Sequence, residues 1–507
     1  MEPQSAVERL KELDREIRVL VHAQSVLNWD QETQMPEAAV EERAEQIAAL
    51  EGIIHERKTS DEIGELLSDC GARDGNPGGE NTLASLDRAF LRQLHRQFRR
   101  HTKLPSKLVT DIAMTASRAQ SIWQSARAHN DFGVFAPHLK RLVELRIESA
   151  ELLGYEEHPY DALLDEFEPW ATTSFVTGVF DDLRESLVPL VRQIASAKQH
   201  RNVLEGRRFH RAGQEAFGRF VLEHMGYEFS RGRLDVSAHP FTDKLGRDDV
   251  RVTTRYNEEF LTSSIFGTIH EGGHALYELG FPKSIKDTIL GEGASMGIHE
   301  SQSRLWENFI GRSLPFWRYF YPHLQRQFPD ELADVGLDDY YRAVNRVEPT
   351  FIRVEADEVT YSLHIILRFN LEKQLVTREL EVEDLPDAWR EESKTLLGIV
   401  PRSDADGVLQ DIHWSLGAIG YFPTYALGNL YAAQFYASLR RSVPELDERL
   451  AAGDLSPVLS WLRSNVHAPG STMTPAELCE EVTGASLDAG HFVSYLREKY
   501  AGIYDVR

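Results

Sequence analysis

Apolar residues recur along this chain at helical rather than strand spacing. Between residues 6 and 27 they fall at Leu10, Leu13, Ile17, Leu20, Val21 and Leu27 with charges between them, the stripe of an amphipathic helix. The same recurrence predicts helices over 38–56, 83–101, 106–129, 136–153, 174–198, 208–226, 300–313, 352–376 and 424–442. One region alternates instead. GRLDVSAHPF (232–241) and DVRVTTRY (249–256) are rich in β-branched residues and flank the polar TDKLGRD, which predicts a small antiparallel pair. GARDGNPGGENT (71–82) reads as a flexible surface loop. No long linker, charge block or repeat divides the chain, so the expectation is a mostly α protein forming a single unit over 1–507.

Charge and cysteine content narrow the function. A formal net charge of −24 argues against a nucleic-acid partner, because a phosphate backbone would be repelled. Cys70 and Cys479 are the only cysteines, which leaves no disulfide framework or thiolate metal site. The charged start MEPQSAVERLKELDREIRVL lacks the apolar stretch of a signal peptide, and no apolar run approaches a membrane span. A cytoplasmic protein without membrane contact is expected.

The helix-like FGTIHEGGHALYELG (266–280) carries the chemistry. His270 and His274 stand roughly 40° apart around a helix axis and about 6 Å apart along it, so both imidazoles can reach one ion. Glu271 then lies beside that ion without binding it. Two imidazoles, one further ligand and a water make an open zinc site, and a nearby carboxylate can accept the water's proton. Gly272 and Gly273 each cost a helix about 1 kcal/mol against alanine, which suggests a close approach to this helix, as in the wall of a cleft. Glu278 lies roughly 12 Å along the axis from His270, too far to share the ion. GIHESQSRLWEN (297–308) supplies Glu300 as third ligand, with His299 as the alternative.

Six ordered motifs resemble those of the thermostable carboxypeptidase Taq family of zinc carboxypeptidases. They are HPF (239–241), DVRVT (249–253), HEGGH (270–274), HESQ (299–302), IRVEAD (352–357) and GVLQDIHW (407–414). The likeness runs from LNWDQETQMP (27–36) to YFPTYALGNLYAAQ (421–434), nearly the whole chain. It implies a two-lobed, mostly helical fold with a deep groove, a homodimer, and one zinc per chain, replaceable by cobalt in some members. It also implies removal of single C-terminal residues from peptides, with broad specificity that disfavours proline. On this likeness His270, His274 and Glu300 hold the metal and Glu271 is the general base, in agreement with the spacing.

An exopeptidase must also recognise a free α-carboxylate, which suits an arginine fork. Arg353 is the first candidate and Arg251, near His239 at the groove end, the second. The competing structural role for each is an ion pair, to Asp357, Asp249 or another carboxylate. His413, Tyr421 and Tyr425 are candidates for stabilising an oxyanion, His413 and Tyr421 foremost. Two other functions remain in play: an oligopeptidase of related fold, and a non-catalytic helical peptide binder.

Overall fold

The helical stripes fold as helices almost wherever the pattern places them. In the computed structural model, which describes residues 1–506, the first stripe forms one long helix, Pro3–Thr33. Those that follow form Val40–Lys58, Ser85–Lys103, Ser106–His129, Phe132–Leu153, Thr173–Ser196, Arg211–Met225 and Pro423–Ser442. Two stripes differ at their ends. The one read as 300–313 starts at Met296 and passes at Leu305 into a π-helical turn that runs to Gly311. The one read as 352–376 begins only at Tyr361, because the Asp357 carboxylate takes the Val359 and Thr360 N–H groups and holds a turn there. Arg353–Glu355 is an isolated 3₁₀ turn as a result.

Two apolar clusters give the fold its lobes. The larger gathers most helices after residue 119. The smaller is built from Leu10, Ile63, Leu67, Phe90 and Leu94 of the N-terminal helices and is closed by Ile285, Ile289 and Leu290. Polar ties fix that junction: Asp14 accepts the Ile289 N–H at 2.7 Å, and Arg18 donates to Glu292 at 2.7 Å. Segment 71–82 is a braced turn rather than a free loop, since Asn76 Nδ2 donates to the carbonyls of Gly71 and Gly79.

The alternating region forms three strands instead of one antiparallel pair. β1 (Leu234–Val236) runs parallel to β3 (Asp249–Thr254), and β2 (Thr242–Gly246) pairs with β3 antiparallel, in the order β1-β3-β2. The segment taken for a polar connector is therefore itself a strand. Its turn is the short Gly246–Asp249 corner, while the HPF segment crosses over the end of β3, where Phe241 and Thr253 exchange hydrogen bonds. Only Leu245 of β2 is buried, so its polar face concealed it from the pattern.

The chain leaves β3 and enters the helix Leu261–Gly280, which carries HEGGH. Helix Met296–Arg304 crosses it at Gly273, where an added Cβ would lie 2.7 Å from the Gln302 carbonyl oxygen and from Ser303 Cα. Gly272 meets Leu222 in the same way. The paired glycines thus admit protein neighbours, and the cleft-wall expectation is corrected to helix packing. No helix among the described residues is long and apolar enough to cross a membrane.

Candidate active site

Crossing at Gly273 brings Glu300 over the HEGGH turn. On its other side Gly428 gives it room, since a Cβ there would stand 2.5 Å from Glu300 Cγ. Ligand atoms of His270, His274 and Glu300 all lie within 4.8 Å of one another. Glu300 Oε2 is 3.6 Å from His270 Nε2 and 3.4 Å from His274 Nε2. Those separations are long for hydrogen bonds. They suit the edge of a tetrahedron around an ion bound at about 2.0–2.1 Å, roughly 3.3–3.4 Å.

Behind the cluster stands a layer of support. His270 Nδ1 donates to Glu307 Oε2 at 2.9 Å, which fixes the tautomer and leaves Nε2 with its lone pair toward the cluster. Arg304 donates to Glu300 Oε1 at 2.7 Å and to Glu307 Oε2 at 3.3 Å. Arg312 approaches Glu307 Oε1 at 3.4 Å. Burial is the largest single influence and opposes ionisation of Glu300 and Glu307, yet Arg304 and His270, with His274 beside Glu300 and Arg312 beside Glu307, together hold both below the usual glutamate range. His274 is pushed down to about 3, by burial and then by His299, and so stays neutral, the ligating form. His270 is drawn the other way: burial lowers it, but Glu300 and Glu307 prevail.

Glu271 is buried beside this cluster, and burial raises its carboxyl above the usual range. Thr242 of β2 shares its one hydroxyl proton between Glu271 Oε2, at 2.7 Å, and the Glu271 carbonyl, at 2.9 Å. The small sheet therefore orients the candidate base. His299, the alternative ligand, points elsewhere: its Nε2 bonds Glu278 Oε1 at 2.9 Å, and its ring stacks on His274 at 4.5 Å. Glu278 also pairs with Lys244 at 3.0 Å, consistent with its exclusion as a ligand.

The remaining candidates divide into two environments. Arg353 is buried, and its Nε and Nη2 donate to Asp411 Oδ1 at 3.0 and 2.7 Å, while Nη1 donates to the Tyr361 hydroxyl at 3.0 Å. Its ion-pair partner is Asp411, another carboxylate than Asp357. Arg368 Nε donates to the other oxygen of Asp411 at 2.7 Å. His413 Nε2 meets the Tyr425 hydroxyl at 3.1 Å, and the His413 and Tyr421 rings lie 5.4 Å apart. Burial and Arg353 push His413 down to about 3, and burial lifts Tyr421 to about 12, so both are neutral at pH 7. Arg251 sits on β3, bonded twice to Asp249 at 2.8 Å, with its guanidinium 5.7 Å from the Trp29 ring. His239 is exposed, and its carbonyl accepts from Ser237 Oγ.

Four participants escaped the sequence reading. Arg304 follows Glu300 by four residues and was detectable as a helical ion pair. Glu307 reaches His270 only through the π turn, whose geometry leaves no simple sequence mark. Thr242 lay inside the misread connector. Asp411 is 58 residues from Arg353, and only folding joins them.

Two helix-borne imidazoles, a carboxylate from a crossing helix and a buried glutamate alongside place this protein in the class of metal-dependent hydrolases of the HExxH type. The model of one family, carboxypeptidase Taq (M32) metallopeptidase, matches residues 9–500. Thermostable carboxypeptidase 1 of Thermus thermophilus is 43% identical, over 99% of this chain and all of that protein. Carboxypeptidase 1 of Bacillus subtilis is 40% identical, over 95% of each chain. The crystal structure of the M32 carboxypeptidase from Deinococcus radiodurans R1 superposes with a TM-score of 0.95 at 39% identity, over 99% of this chain and all of that one. The chain belongs to the carboxypeptidase Taq (M32) family and is a metallocarboxypeptidase, a peptide hydrolase.

Proposed function

We propose that the protein is a zinc-dependent carboxypeptidase that releases single C-terminal residues from peptides, with broad preference and little activity on C-terminal proline. His270, His274 and Glu300 hold the ion. The observation that carries this reading is the spacing of their three facing atoms, which fits a tetrahedral ion with one position open. Cobalt, which takes the same ligands, is the natural substitute. When bound, such an ion lowers the pKa of water toward ~7 and polarises the scissile carbonyl.

The protein's own groups complete the reaction. Glu271, with Oε2 held by Thr242, takes the attacking water's proton on Oε1 and passes it to the leaving amine. The Tyr421 phenol, protonated at working pH, donates to the carbonyl oxygen as charge builds there. Tyr425 is held by His413 and lies under the Arg353 guanidinium at 4.9 Å, so this pair lines the approach to the arginine. Arg353 receives the terminal carboxylate. Its surroundings support that role: two guanidiniums face one aspartate there, whereas Arg251 is matched one-to-one by Asp249. Arg251 and His239 then shape the groove beside β3. A soluble homodimer in the cytoplasm belongs to the same reading, and the net charge of −24 favours its solubility.

The test follows one unblocked peptide by mass, with zinc or cobalt added to the metal-free protein. A ladder losing one residue at a time from the C-terminus is expected, stalling where proline becomes terminal. Internal cuts as main products would replace this reading with an oligopeptidase.

A further inference from the structure

In a chain of net charge −24, one helix concentrates cations on a single face. Arg92, Arg96, Arg99, Arg100 and Lys103 of Ser85–Lys103 fall at helical spacing and converge, with Arg73, on a cavity of about 410 Å³. Six cations face four carboxylates on this wall, Asp74, Glu156, Asp161 and Asp165. Asp74 takes Arg99 at 2.6 Å, Asp165 is shared by Arg96 and Arg100, each at 3.1 Å, and Glu166 also pairs with Arg100 at 3.4 Å. Arg92 reaches Glu477 at 3.4 Å, and its Nε is buried without a partner. The Arg73 side chain has no partner among the described residues. Asp161, also on the wall, is spent on the Thr173 N–H and hydroxyl. Burial and then Arg99 hold Lys103 below the usual lysine range, and burial lowers Arg96 against the pull of Asp165.

Trp170 forms one wall. It is 42% exposed and adopts a φ of 65°, a left-handed conformation that strains a tryptophan. Its N–H donates to Asp165 at 2.9 Å, and the guanidiniums of Arg92 and Arg96 each lie 5.6 Å from its ring. A flat aromatic face held out into a cavity of arginine forks suits a tetrahedral oxyanion and a planar ring attached to it.

This cavity holds none of the metal-site residues, and segment 165–171 lies between it and a second cavity that shares Arg96 with it. Asp165, Trp170 and Ala171 face the basic cavity, while Glu166, Phe167 and Pro169 face the second cavity, which reaches His299 and Glu278. On that second side Phe167 packs edge-on against Tyr421 at 4.9 Å, and its carbonyl accepts the Met296 N–H at 3.0 Å. Glu168 accepts the Gly297 N–H. The segment thus grips the start of the helix that carries Glu300.

We propose that the basic cavity is an effector site for a phosphate-bearing anion, whose occupancy reaches the active site through residues 165–170. Titration of the metal-loaded enzyme with sodium phosphate or with AMP, at constant ionic strength in chloride, tests it. Calorimetry is expected to show saturable binding, with Trp170 fluorescence and kcat/KM for an unblocked peptide shifting over the same range. AMP binding more tightly than phosphate identifies a nucleotide stacked on Trp170, and equal affinity identifies free phosphate. Trp170→Phe should abolish the fluorescence signal. Arg73→Gln with Arg99→Gln, both partly exposed and away from the metal, should keep basal activity and weaken binding at least ~tenfold. Absence of saturable binding at millimolar anion, binding that the double variant retains, or binding without a change in kcat/KM would overturn the proposal. So would a rate change that persists in the double variant, since it would arise at the metal.

Discussion

At the histidine end, Arg304 and Arg312 answer Glu300 and Glu307; at the His413 end, Arg353 and Arg368 answer Asp411 alone. The first cluster balances its fixed charges, yet leaves two imidazole Nε2 atoms and a carboxylate oxygen facing one another. It lacks a cation. The second has an unmatched positive charge, because a further carboxyl, Glu372, is pushed up to about 7 by burial and turned to Tyr160, Trp414 and Gly420. It lacks an anion. Tyr361 joins them, its ring 4.3 Å from the Arg304 guanidinium and its hydroxyl on Arg353. On the proposed reading, a peptide whose scissile carbonyl meets the first end and whose α-carboxylate meets the second would satisfy both, which would give the substrate a direction.

The largest effects should come from removing the cation. His270→Ala or His274→Ala leaves two ligands, too few to retain zinc at an open site, so elemental analysis should find the metal lost and hydrolysis abolished. Glu271→Gln is the contrasting case, with metal retained and kcat down at least ~10²-fold. Full metal content in either histidine variant would remove the first end from the comparison.

Next in size is the loss of the shared anion at the second end. Asp411→Asn keeps the shape but sets two buried guanidiniums against each other, a change of about 3–5 kcal/mol in stability. Denaturant unfolding at pH 7 should show it directly. The pH dependence has a definite sign. Burial opposes ionisation of Asp411, but Arg353 and Arg368 hold its carboxyl far below the usual aspartate range. Its stabilisation is therefore complete above the unfolded value, about 3.9, and declines as pH falls below it. The gap between wild type and variant should be constant from pH 5 to 7 and narrow below pH ~4. A gap unchanged at low pH would mean that the carboxylate charge is not what holds the arginines.

How much of each end was legible before folding follows from how local it is. His270, Glu271 and His274 share one helical turn, so spacing sufficed. Between His299 and Glu300, neighbours in sequence, about 100° of helix rotation sends one to Glu278 and the other to the histidines. Arg353 was found as a residue type suited to carboxylates, but its partner was not, because Asp357 spends its oxygens on its own turn and on the Glu348 N–H. The sheet was misjudged where a polar strand borders the site. Helix stripes survive such local conflicts because many apolar positions vote together, whereas a three-residue strand such as β1 has few.

The smallest effects should discriminate the two arginines. If the unmatched charge at the second end takes the substrate's α-carboxylate, amidation of a short peptide removes a charge-assisted pair worth ~1.5–3 kcal/mol, a fall in kcat/KM of roughly ten- to a hundred-and-fiftyfold. Blocking the N-terminus should change little. Arg353→Lys keeps the charge but loses the fork, so it should weaken the acid and narrow the acid–amide ratio. Arg251 already spends its fork on Asp249, and Arg251→Lys should leave that ratio as in wild type, whatever it does to overall rate. Kinetics of the acid and amide forms on the three proteins decide it. Should the ratio collapse in the Arg251 variant and persist in the Arg353 variant, the anion-seeking end of the site would lie at β3, and the Arg353–Asp411–Arg368 cluster would be left with a purely structural role.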